Sequence, residues 1–170
     1  MVLDSDSSPR LAPLTGPIYL TALLLIVVSF ADYFSAVWPF RLGEVSWRYG
    51  AVGLFSGFML TPLLGFMVAI GFATMRGHRG IAAAVSIASV ILAVGLALGL
   101  VTFSLDALQV RREVAVEAKG VVDAGIAKAA LKHLAAIAGF GAAGIGGLRA
   151  TRRVKPVSGT DRELVVGRGR

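Results

Sequence analysis

Cysteine is absent from the 170 residues, which excludes disulfides, thiolate metal sites and cysteine nucleophiles together. Charge is also scarce. Asp, Glu, Lys and Arg make up 16% of the chain, where an ordinary soluble domain carries about a quarter. What charge there is gathers outside the apolar runs, so that Asp32 is the only acidic residue inside one. The two histidines, His78 and His133, stand far apart, and no spacing of His, Asp and Glu suggests a metal site. Nothing resembles a nucleophile–base pair, a phosphate-cradling glycine loop or a pair of facing carboxylates. No catalytic residue is expected, and an enzyme is not the expected class.

What the chain does have is apolar length. Hydrophobic residues make up 56% of it and the mean hydropathy is +0.77. Four long apolar stretches occupy 17–38, 50–74, 81–103 and 129–148, each near the roughly 20 residues that an α-helix needs to cross a bilayer core. The expected fold is an all-α integral membrane protein with four transmembrane helices over 17–148. An amphipathic extramembrane helix is expected over 104–128, before the last span. A polar tail, 1–16, precedes this domain and a basic tail, 149–170, follows it.

Local signals refine this outline. The first run continues through Tyr33, Phe34, Val37 and Trp38, too far for the core of a signal peptide, so an uncleaved anchor is expected. Pro17 suits the first turn of that helix, where its missing N–H costs nothing. Trp38 and Trp47 flank a short link, and indoles favour the headgroup level, so both are expected as interface anchors at the feet of a helical hairpin. Pro62 interrupts the second run and should kink it. Beyond Phe103 apolar residues alternate with charges of both signs, the pattern of an amphipathic helix, weakened near Gly120 and Gly125.

Lysine and arginine counts set the expected topology. With four spans, the N-terminus, the 75–80 turn and the C-terminal tail share one side, and ten basic residues fall there against six on the other. The richer side is expected to be cytoplasmic, which puts 104–128 in the periplasm of a bacterial inner membrane. The net charge of +7 follows from the same bias, and no nucleic-acid partner is expected. Arg149, Arg152, Arg153 and Lys155 follow directly on the last span and are expected to meet anionic lipid or a partner.

Small residues stud the helices at four-residue spacing: Gly53 and Gly57, Gly95 and Gly99, and Gly139, Ala143 and Gly147. Small side chains at this spacing let helices approach closely in lipid. They are expected to pack the bundle, and in the fourth run equally to dock against another membrane subunit. Asp32 lies six residues before Trp38, and the expectation is an interfacial role with Arg41 or Arg48 as partner. Both histidines read as polar residues near the headgroups. No cofactor is expected, although His133 would be the ligand if a pigment or haem were held.

The stretch Val45-Ser46-Trp47-Arg48-Tyr49-Gly50, followed by Leu60-Thr61-Pro62-Leu63-Leu64-Gly65, resembles the HpsJ-like bacterial membrane proteins. These are small four-span proteins associated with exopolysaccharide and exosortase loci. The resemblance implies an accessory protein and carries over no catalytic residue. From residues and resemblance together, the expected function is a non-catalytic accessory subunit of a larger membrane assembly, energy-transducing or serving envelope polysaccharide. Its partners would be other integral membrane subunits. A small dimeric proton-coupled transporter using Asp32 is the alternative.

Overall fold

A computed structural model describes residues 15–153, which are almost wholly helical, with no strand among them. The polar lead-in up to Leu14 and the tail from Val154, including Lys155, lie outside the described residues. Five helices follow one another: α1 (Thr15–Val37), α2 (Val45–Phe58), α3 (Leu60–Met75), α4 (Arg79–Glu113) and α5 (Lys119–Arg153). The first begins two residues earlier than expected, with Pro17 in its opening turn as anticipated.

The second apolar stretch is two helices, not one. α2 and α3 meet at Met59 and bend by 41°. Pro62 accounts for the position of the bend. It has no N–H for the carbonyl of Phe58, four residues back, and its ring crowds that carbonyl. Regular bonding resumes one residue on, where Leu63 N–H donates to Met59 O at 3.1 Å. Met59 is itself fully buried, so the bend sits inside the core.

The separate amphipathic helix expected over 104–128 does not exist. The third stretch continues unbroken to Glu113, and the fourth begins as far back as Lys119. The chain reverses at Val114 and Ala115, which are extended, and at a 3₁₀ turn over Val116–Ala118. Gly120 and Gly125, the expected weak points, lie inside α5. The charges explain where the reversal falls. Arg111 and Arg112 close α4, and Glu117 precedes α5, each at the helix end its sign favours. Arg111 then bridges the two helices through Asp123, with Nε 2.8 Å from Oδ1.

The turn at the other end is a Schellman closure of α3. Gly77 takes φ +71°, a backbone region that glycine enters without steric cost. His78 N–H reaches Ala73 O at 2.8 Å and Gly77 N–H reaches Thr74 O at 3.2 Å.

α1, α4 and α5 are each long and apolar enough to cross a bilayer, and the bent α2–α3 pair counts as a fourth span. Their outward faces carry exposed Leu, Ile, Val and Phe along their whole length. The core between them is small. Met59, Phe66, Ala93, Leu96, Ala136 and Phe140 form its centre, and Phe66 meets Phe140 edge-on at 5.5 Å.

Candidate functional site

The polar chemistry concentrates in one layer, near the end of the bundle where the 38–44 loop and the α4–α5 turn lie. Arg48, in the first turn of α2, holds three elements at once. Its Nε and Nη2 donate to the two carboxylate oxygens of Asp106 on α4, at 3.1 and 2.9 Å, and its Nη1 donates to Leu42 O at 3.0 Å. Planar two-point pairing of this kind suits guanidinium and carboxylate. Asp106 is 5% exposed, and both of its carboxylate oxygens are taken up by Arg48. Beside Arg48, the Trp47 indole N–H donates to Val37 O at 3.2 Å, which satisfies one of the carbonyls that α1 leaves open at its end. Trp38 is exposed and Trp47 half-buried, and the two indoles are linked through Phe40.

Directly beneath the ion pair three rings stack. Tyr49 lies on Phe103 with centroids 5.1 Å apart, and Phe103 lies on His133 at 5.6 Å. His133 is fully buried, which corrects the expectation of an interfacial polar residue. Its Nδ1 lies 2.9 Å from Ala129 O, so the proton sits on Nδ1 and Nε2 is left as an acceptor. That Nε2 is buried and without a partner. His78 is exposed, with Nδ1 2.8 Å from the Tyr19 hydroxyl.

Asp32 takes no part in this layer. It is exposed on α1, and among the described residues no ion pair reaches it. Of its two expected partners, Arg48 is bound to Asp106, while Arg41 pairs with Glu44 at 3.5 Å on the surface.

The inward face of α5 does not coincide with the Gly139–Ala143–Gly147 stripe. That face runs His133, Ala136, Phe140, Gly144 and Gly147. A methyl group at Gly144 would come within 2.8 Å of Ser86 O, and one at Gly147 would collide with the Ser86 hydroxyl. A Cβ at Gly139 would stand 2.5 Å from Leu63. Ala143 is only half-buried. Ser89 reinforces the α4–α5 contact by donating to Phe140 O at 2.8 Å. Elsewhere Gly53 admits the Phe103 ring (3.3 Å from a Cβ position), Gly57 lies near Lys132 Nζ (3.7 Å) and Gly99 touches Val52 at 3.7 Å. Gly95 faces open space and meets nothing among the described residues.

Two close contacts fall where no spacing pattern pointed. Gly65 receives α1, its Cβ position being 2.8 Å from Ala22 O, and Gly144 receives α4. Asp106 was likewise hidden among the charges of the expected surface helix. The one signal for it was its position three residues after Phe103 and ten after Leu96, on the same helical face.

At the opposite end a cleft of about 530 Å³ opens between Met75, Gly77, Arg79, Ala82, Ala150 and Thr151. Arg76 lies beside it, with Nη2 3.3 Å from Thr15 Oγ1 and its guanidinium over the Phe72 ring. Arg149 and Arg152 are exposed at this end of α5. No acidic residue among those described lies there. All six occur in the outer half of α1, in the 38–44 loop, or from Asp106 to Asp123.

These features define the class: a protein all-helical over the described residues, whose apolar helices are long enough to span a membrane, with a half-exposed arginine clamped to a buried aspartate at one end. Compared with known proteins, no family model, no curated protein and no solved structure matches the chain. The HpsJ-like resemblance thus rests on its short motifs, in which Trp47, Arg48, Pro62 and Gly65 have visible structural tasks.

Proposed function

We propose that this protein is a multi-pass component of a bacterial cytoplasmic membrane, acting as a non-catalytic accessory subunit that binds other membrane proteins. The observation that carries the reading is the α4–α5 hairpin. Thirty-five residues make a helix about 52 Å long, roughly 20 Å more than a hydrocarbon core requires. About 10 Å of α4, from Asp106 to Glu113, stands beyond the Arg48–Asp106 layer and is braced by Arg111 and Asp123. At this end Leu108, Val116 and Val121 are 57%, 75% and 77% exposed. Large apolar side chains bared on an arm outside the lipid, amid charges, mark a surface made to be covered by another protein.

The charge pattern supports the orientation. The exposed Arg149 and Arg152 at the far end of α5 suit a cytoplasmic leaflet rich in anionic lipid, and the mixed charges at the hairpin end suit the periplasm. The transporter reading is less well served, because Asp32 faces outward from α1 instead of lining a path between helices.

Extraction in mild detergent followed by affinity capture and mass spectrometry tests the proposal. A stoichiometric membrane partner is expected with the native chain, and its loss with L108K/V121K. Recovery of the chain alone would overturn the accessory role.

A further inference from the structure

Two oppositely charged side chains, Asp32 on α1 and Lys132 on α5, are exposed in the span region, and neither forms an ion pair among the described residues. Their depths can be compared through α2. Tyr33, next to Asp32, donates its hydroxyl to Ala51 O at 3.3 Å and packs on Phe55 and Phe58, with centroids at 4.8 and 6.1 Å. Lys132 Nζ lies 3.7 Å from the Cβ position of Gly57. Both charges therefore lie alongside the same two turns of α2, at one depth, with α2 between them.

They also turn toward the same side. On α3, Gly65 faces α1 and Leu63 faces α5, and the remaining direction is taken by Leu60 and Leu64, each 58% exposed. Each residue of an α-helix advances by 100°. α1 and α3 run in opposite directions, as do α4 and α5. Asp32 then lies a quarter-turn from the α1 face that meets α3, on the Leu60–Leu64 side. Lys132, seven residues before Gly139, points back across the mouth of the α2–α5 groove and emerges on that same side. The seam between the two charges is Leu54, Gly57, Leu60 and Leu64, all exposed.

We propose that this face binds a second copy of the chain. Two copies inserted in the same sense and related by a two-fold axis along the membrane normal set α1 of one against α5 of the other. Asp32 of each copy then meets Lys132 of its partner, closing two ion pairs around an apolar seam that Gly57 keeps shallow. Charge exposed to lipid is costly, and polar contacts between helices replace that exposure with a partner. The inference rests on the membrane-spanning reading alone, not on the accessory role.

The absence of native cysteine makes the test direct. Two tagged full-length chains, one D32C and the other K132C, are co-expressed, and their membranes are oxidised. A disulfide-linked heterodimer is expected. I87C, on the exposed face of α4, is expected to give none when paired with either. As a second readout, D32K and K132D should each weaken self-association about five- to thirtyfold, and D32K/K132D should restore it to within about twofold. Carbonate extraction of the same membranes reports insertion separately, so a chain that inserts without pairing defeats the dimer and leaves the spanning reading standing. Absence of the D32C–K132C cross-link in inserted protein, or a double reversal no better than the single ones, overturns the proposal.

Discussion

At the scale of single residues, His133 is the sharpest probe of the interior. Its Nδ1 proton is committed to Ala129 O, and Nε2 is buried without a partner, an arrangement that costs about 1–3 kcal/mol. H133F keeps a ring against Phe103 and removes the orphan atom. It should leave thermal stability unchanged or raise it by up to about 1 kcal/mol, since the hydrogen bond lost is worth about as much as the atom relieved. A clear fall in the melting midpoint would mean that Nε2 has a partner, such as an ordered water. Gly144 is the converse case. G144L drives a side chain into Ser86 O and Val90, and the expected cost is about 1–3 kcal/mol of overpacking, read as a lower melting midpoint in detergent. The same substitution at Gly95, which faces open space, should be nearly silent. Composition made small residues on α5 easy to find, yet which of them point inward depends on helix register. A slip of one residue moves the face by 100°, which is what separates the inward Gly144 from the half-buried Ala143.

At the scale of elements, the four apolar stretches were legible because span length is set by the bilayer and appears directly as hydropathy. Helix ends were less legible. α4 and α5 run on past their apolar parts because nothing between Phe103 and Glu113, or between Lys119 and Ala129, interrupts them strongly enough. Isolated glycines cost a packed helix only about 1 kcal/mol, and Gly120 and Gly125 are absorbed. Pro62 was legible as a kink, and its effect is measurable. P62A returns an N–H to Phe58 O and should straighten the α2–α3 pair. Spin labels at S46C and M75C, both exposed, would then move apart by up to about 3 Å, from a rise of 1.5 Å per residue on each arm. An unchanged distance would assign the bend to packing around the buried Met59.

For the whole molecule, the guide to orientation is the basic count together with the described acidic residues, which gather toward the hairpin end; Asp4, Asp6, Asp161 and Glu163 belong to the tails outside the described residues. A membrane-impermeant maleimide should label V116C in intact cells and M75C only after the membrane is opened. The reverse pattern would invert the molecule. This asymmetry was half visible in the sequence, where the basic count was plain. The acidic side depends on α4 running as one continuous helix past the buried Asp106 to Glu113.

That continuity has a mechanical meaning. The Arg48–Asp106 clamp holds α4 near one end. About 10 Å of helix lies on the hairpin side, from Asp106 to Glu113, and about 40 Å on the other, down to Arg79. With the clamp as fulcrum, α4 is a lever of unequal arms. A rigid α4 pivoting there would move about four times as far at Arg79 as at the hairpin tip, against the close contacts that hold it to α5 at Gly144 and Gly147.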